Sequence, residues 1–171
     1  MKSPMVIEFV SDYLQVLRDT LLAVSPNEGC ALLLGKQKQS SCLKKENILQ
    51  IQMIWPCCNV WGEEILSLLE STNNRKIDLR ENLDLSKENR FIIDPREQFL
   101  AQHWARKRNW EIVGSAHSHP NGNPIPSSVD RNWNFTPGLM VIVGQFGGMR
   151  AWWMSGDPTF HPKEVAIWAP K

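Results

Sequence analysis

Two histidines one residue apart, His117 and His119, lie in the segment Gly114-Ser115-Ala116-His117-Ser118-His119-Pro120, the stretch of this sequence best suited to chemistry. On an extended strand, residues i and i+2 point to the same face, so both imidazoles can converge on one ion. Neutral imidazole is a favoured zinc ligand, and catalytic zinc sites take three protein ligands and keep a fourth position for water. A third ligand is therefore expected nearby. The turn-forming run Asn121-Gly122-Asn123-Pro124-Ile125-Pro126 leads into Ser127-Ser128-Val129-Asp130, and such a turn can return the Asp130 carboxylate to the histidines. Plainer readings stand beside this one. A His-x-His pair can be two satisfied histidines at a strand end, and Ser127 with Asp130 has the spacing of a helix N-cap box. The two uses of the cap are compatible, because a cap that fixes Asp130 would also preorganise a ligand. Glu28, taken alone, is a charged residue at a strand entrance.

The elements that must position these residues follow from periodicity and punctuation. Ser3-Pro4 reads as an N-cap with Pro at the first helical position, and Val6, Val10, Tyr13, Leu17 and Leu21 then recur at helical spacing. Ser25-Pro26-Asn27 breaks that helix. Gly29 to Leu34, closed by Gly35, is a buried strand, and Ile48 to Trp55 is a second strand that Pro56 ends. Residues 62–90 are the least regular part, with a short helix at Glu64 to Glu70 and an exposed loop beyond it. Order resumes at Phe91. Asp94-Pro95-Arg96-Glu97 starts a helix with an Asp cap, Pro at N1 and Glu97 completing a capping box, and the helix runs to about Asn109. Glu111 to His119, Leu139 to Val143 and Met149 to Met154 are strands, the last two separated by a turn at Gln145-Phe146-Gly147-Gly148. The order predicts one α/β domain with a mostly central sheet.

Composition excludes several classes. The 171 residues are 42% hydrophobic and 22% charged, an ordinary globular balance. The net charge is +1 and no basic stripe appears, so no nucleic-acid partner is expected. Lys36, Lys38, Lys44 and Lys45 read as a solvated hairpin or loop. Glu8, Asp12, Arg18 and Asp19 interrupt the apolar N-terminal stretch, which is therefore neither a leader nor a membrane span; no membrane association and a cytoplasmic location are expected. Cys30, Cys42, Cys57 and Cys58 are read as buried free thiols, since the adjacent Cys57-Cys58 lacks the CxxC spacing of a zinc knuckle. Most of the eight tryptophans belong in the core, with Trp61, Trp133 and Trp152 as candidates to line a groove.

The string His117-Ser118-His119-Pro120, ten residues, then Asp130 with Ser127 three positions before it, resembles the JAMM metallopeptidase motif of MPN-plus domains. Pro26-Asn27-Glu28-Gly29-Cys30-Ala31-Leu32-Leu33-Leu34-Gly35 is similar to the family's Pro-x-Glu stretch leading into an apolar strand, and departs from it at Ala31, where bacterial members often have Gly. Phe91-Ile92-Ile93-Asp94-Pro95, Gly114 and Pro137-Gly138-Leu139 also fit, so the likeness covers about residues 1–155. It implies a single MPN-like domain over residues 1–171, with a central mixed, curved sheet flanked by helices and an insertion at about 62–90. It further implies one zinc ion per chain held by His117, His119 and Asp130, with Glu28 as catalytic base and Ser127 as oxyanion donor. The implied reaction is hydrolysis of a peptide or isopeptide bond after the C-terminal glycine of a ubiquitin-like or sulfur-carrier protein. Such a glycine-rich tail could pair with a sheet edge, and the insertion could help form its groove.

Two rivals belong to other classes. One is a non-catalytic scaffold that binds zinc structurally, which predicts a closed coordination shell. The other is a zinc hydrolase or deaminase of small molecules. The deaminase signature needs His-x-Glu with Pro-Cys-x-x-Cys and zincins need His-Glu-x-x-His; neither is present.

Overall fold

Alternating apolar residues on the strands are buried on both faces of one sheet, and that sheet closes on itself. The computed structural model describes residues 3–4, 6–10, 12–39, 47–62, 86–134, 136–157 and 159–169. Their elements run β1 (Val6–Phe9), α1 (Tyr13–Leu22), β2 (Cys30–Gln39), β3 (Asn47–Cys57), α2 (Pro95–Arg106), β4 (Glu111–His119), α3 (Ser128–Asn132), β5 (Gly138–Gly144), β6 (Met149–Met154) and β7 (Lys163–Trp168). The strands pair in the order β1-β3-β2-β4-β5-β6-β7, and β7 returns to β1 to close a barrel. β1 runs parallel to both its neighbours and β4 runs parallel to β5; the remaining pairs are antiparallel.

On β2, Ala31 and Leu33 join Ile7, Phe9 and Ile51, together with Leu17 and Leu21 of α1, in the main core. Leu32 and Leu34 point the other way, against Ala101 and Ala105 of α2. A strand covered on both faces reads as a continuous apolar run, which is why this one was legible. β5 divides likewise, with Val141 and Val143 in the main core and Met140 and Ile142 packed on Trp152 and Met154. Burying each large aliphatic side chain contributes about 1.5–3 kcal/mol, so these positions fix the register of the strands that carry the site.

The structure corrects several expectations. The first helix starts at Tyr13, and Val6–Phe9 is a strand. Ile7 and Phe9 are both fully buried at a spacing of two, and β1 pairs with two strands, so sheet pairing overrides the cap signal at Ser3-Pro4. β3 continues through Pro56 to Cys57, because β1 pairs with it only from Ile48 to Ile51 and asks nothing of the Pro56 nitrogen. Asp94 caps α2, accepting from the Arg96 N–H at 2.8 Å with Pro95 behind it. Glu97 does not close the box; its Oε2 accepts from the Cys58 N–H at 3.1 Å and ties the helix to the end of β3. α2 stops at Arg106, and Asn109 turns the chain at φ 54°. The closing strand β7 was not foreseen.

Of the lysines expected on a solvated hairpin or loop, Lys36 and Lys38 are exposed on β2, which pairs antiparallel with β3 out to Gln39 opposite Asn47. Lys44, Lys45, Cys42 and the helix and loop expected after Glu64 lie outside the described residues. Of the described thiols, all free, Cys30 is buried as expected, whereas Cys57 is half-buried and Cys58 exposed. No helix among the described residues is long and apolar enough to cross a membrane.

Candidate active site

β4 lies between β2 and β5, with His117 opposite Cys30 on one side and Ile142 on the other. The pleat sends His117 and His119 to one face and Ser118 to the opposite one. His117 is fully buried and its ring stacks on Phe91, with centroids 4.5 Å apart and planes at 26°. Its Nδ1 is buried without a hydrogen-bond partner, so packing alone holds that side of the ring. His119 is oriented differently, with Nδ1 2.9 Å from the Asn123 carbonyl oxygen. That carbonyl can only accept, so Nδ1 carries the proton and Nε2 of the neutral ring presents a lone pair.

The turn after Pro120 is anchored to the barrel. Gly122 N–H donates to the His119 carbonyl, Gln145 N–H to the Gly122 carbonyl, and Trp152 Nε1–H to the Pro124 carbonyl at 2.9 Å. Gly144 permits this approach, since a Cβ there would sit 2.8 Å from Pro124 Cδ. The turn ends in α3, where Ser127 and Asp130 form a reciprocal capping box. Both Ser127 N–H and Oγ–H donate to Asp130 Oδ2 at 2.7 Å, and Ser127 Oγ accepts from Asp130 N–H at 3.1 Å. Ser127 thus donates its one hydroxyl proton to Asp130 in this arrangement.

The result is a convergence of three donors. His117 Nε2 and His119 Nε2 are 2.9 Å apart, and Asp130 Oδ1 and Oδ2 lie 3.3 and 3.4 Å from them respectively. One ligand atom from each residue falls within 4.8 Å of the others, an arrangement that could hold a metal ion. Two imidazoles, that of His119 with its tautomer fixed, and one carboxylate suit a borderline cation such as zinc. The charges agree. Burial works to raise the Asp130 pKa, but His117, His119 and Ser127 outweigh it and hold the carboxyl well below the usual range. Burial works to lower the His119 pKa, and its bonds to Asp130 and the Asn123 carbonyl reverse the sign.

Glu28 arrives from the loop between α1 and β2. Gly29 N–H donates to Ser118 Oγ at 2.9 Å, Ser118 Oγ–H donates to the Leu21 carbonyl, and Ser118 N–H donates to the Gly29 carbonyl. The residue between the two histidines therefore fixes the residue after Glu28. A Cβ at Gly29 would meet the Leu21 carbonyl oxygen at 2.3 Å, so no larger residue fits there. Glu28 is 5% exposed, and burial pushes its pKa up to about 8, with His119 and Arg90 opposing and Asp130 adding to the rise.

Glu28 borders three cavities, two of them shared with candidate ligands. One, of about 210 Å³, is walled by Trp61, Arg90, Phe91, Asp130 and Trp133. The other, of about 340 Å³, reaches Asn89, Arg90, His119 and Ser127. Of the five residues singled out from the sequence, Glu28, His119, Ser127 and Asp130 line these two cavities, and the fully buried His117 meets them through His119 and Asp130. Of the three tryptophans expected to line a groove, Trp61 and Trp133 do so edge to face at 5.5 Å, while Trp152 packs in the β5–β6 cluster. Sequence reasoning missed Arg90, over the Trp61 ring at 5.5 Å, and Asn59, which bonds the Glu28 carbonyl at 3.0 Å. No motif marks either one.

Residues 10–155 match the family model described as prokaryotic homologs of the JAB domain. A desampylase of Pyrococcus furiosus is 33% identical over 81 residues, covering 45% of this chain and 56% of its own length. A UPF0758 protein of Alkaliphilus oremlandii is 37% identical over 71 residues, covering 42% of this chain and 29% of its own length. The chain thus spans about half or less of these curated relatives. A protein of Desulfitobacterium hafniense, known by its solution structure, shares the fold with a TM-score of 0.69 at 20% identity, covering 96% of this chain and 93% of its own. A Salinibacter ruber protein does so with a TM-score of 0.53 at 19% identity, covering 96% and 92%. The family expected from the spacing of His117, His119 and Asp130 is the one found, and the chain belongs to the prokaryotic homologs of the JAB domain.

Proposed function

We propose that the chain is a zinc-dependent hydrolase that cleaves a peptide or isopeptide bond after the C-terminal glycine of a ubiquitin-like or sulfur-carrier protein. One observation carries this reading: three donors converge, and Glu28, held by a separate segment of the chain, shares one cavity with His119 and Ser127 and another with Asp130. Likeness to a desampylase over 81 residues supports the substrate class.

His117, His119 and Asp130 would hold the ion. Bound zinc supplies Lewis acidity, polarising a carbonyl and lowering the pKa of water. Glu28 takes a proton from the attacking water onto its carboxylate, keeps it out of solvent, and delivers it to the leaving nitrogen. A carboxyl displaced upward toward neutrality suits both halves of that cycle. Ser127 has two roles in this account. Its hydroxyl orients Asp130 at rest and turns to the carbonyl oxygen when negative charge develops there.

Closure of the barrel leaves β3 beyond Ile51 paired with β2 alone among the described residues. The extended tail would meet the segments at 59–62 and 86–93, which carry Trp61, Arg90 and Phe91. The test is incubation with a ubiquitin-like sulfur carrier extended beyond its Gly-Gly terminus, before and after chelation, with cleavage located by mass spectrometry. Cleavage after the diglycine that stops on chelation is expected. Stoichiometric zinc without cleavage would contradict the substrate class, and absence of zinc would contradict the metal reading.

A further inference from the structure

Three segments outside the regular strands and helices meet beside the site: the loop at Glu28, the chain leaving β3 at 59–61, and the chain at 90–92 that enters α2. One side chain joins them. Asn59 Nδ2–H donates to the Glu28 carbonyl and to the Arg90 carbonyl, each at 3.0 Å. Asn59 Oδ1 accepts from Trp61 N–H at 3.0 Å and from Ile92 N–H at 3.3 Å. An Asn amide has two N–H donors and one oxygen with two lone pairs, so its capacity is full. The neighbours also fix which way the amide faces, since two carbonyls need the NH2 and two N–H groups need the oxygen.

We propose that Asn59 is the positioning residue for Glu28, setting the distance between that carboxyl and the aromatic wall made by Trp61 and Phe91. The proposal rests on the reading of Glu28 as the base. Asn59 touches none of the three metal donors, so its contribution is separable from ion binding. At the Glu28 backbone, N–H is held by the Lys87 carbonyl at 2.7 Å and C=O by Asn59. Without the second bond the peptide can pivot about Gly29, and a misplacement of about 1 Å in a reacting group costs about 10²-fold.

Asn59→Asp divides the two halves of the amide. It keeps acceptors for Trp61 and Ile92 and removes both donors, placing a carboxylate against the Glu28 and Arg90 carbonyls. The expected result is full zinc stoichiometry, retained amide protection at Trp61 and Ile92 by hydrogen exchange, KM nearly unchanged, and kcat on the extended carrier lower by about 10²-fold. In a Glu28→Gln background the same substitution costs almost nothing further, because the group it positions is gone. An equal fold-loss in both backgrounds, loss of zinc, or unchanged kcat would overturn the proposal. If Asn59→Asp does not fold, Asn59→Ser, too short to reach Glu28, is read by zinc stoichiometry and by its kcat loss with and without Glu28→Gln. Full activity of Glu28→Gln would overturn the base reading and this one together. An inactive Glu28→Gln beside an unimpaired Asn59→Asp would overturn the positioning alone.

Discussion

Two buried carboxyls lie on either side of one cavity, and their surroundings push them in opposite directions. Asp130, on the first turn of α3, accepts from Ser127 N–H and Oγ–H and faces both imidazoles, so it is held ionised. Glu28 has its backbone pinned and borders a cavity walled by Trp61, Phe91 and Trp133, and burial pushes its carboxyl up to about 8. Residue type does not distinguish them; the donors aimed at each one do. Hydrogen-bonded charge suits a ligand, and a desolvated carboxyl suits a group that must gain and lose a proton.

The largest break of this contrast is on the Asp130 side. Asp130→Asn or His117→Ala removes a donor from a set of three, and stoichiometric zinc by metal analysis should be lost with all turnover. Retained zinc in either variant would place the ion elsewhere.

The Glu28 side is read through pH in chelated protein. A carboxyl raised from 4.5 to about 8 favours the folded state below about 4.5, and that contribution disappears as pH rises through about 8. At about 1.4 kcal/mol per unit, the loss is on the order of a few kcal/mol. Thermal unfolding of the chelated wild type should therefore weaken between about pH 5 and 8.5, and Glu28→Gln should flatten that slope. Asp130 acts with the opposite sign, adding stability above its ordinary carboxyl range that is lost only in acid. An identical slope in both proteins would remove the account of Glu28.

Ser127→Ala should weaken zinc affinity about 10- to 100-fold by freeing Asp130 to rotate, measured by competition with a chelating dye. Asp94→Ala is the smallest change. It removes the α2 cap, lowering stability by about 1 kcal/mol in denaturant titration and leaving zinc affinity unaltered. A site effect there would show that α2 couples to the donors.

Local signals made half of this legible. His117 and His119 share a strand face, Ser127 caps the turn that carries Asp130, and Asp94-Pro95 starts α2; each needs only neighbours in sequence. What escaped was long-range. Val6–Phe9 is a strand because β3 and β7 flank it, and periodicity at Ile7 and Phe9 could not outweigh the Ser3-Pro4 cap. Barrel closure depends on β7, whose alternation at Val165 and Ile167 spans only six residues. Asn59 and Arg90 carry no pattern, since their roles exist only once segments about thirty residues apart meet.

The most direct measurement of the central claim, that Glu28 and the three donors form one hydrolytic site, is turnover of Glu28→Gln on the extended carrier at zinc occupancy matched to wild type. The account predicts equal zinc and a loss of about 10²- to 10⁴-fold, the usual contribution of a general base. Equal zinc with wild-type turnover would contradict it.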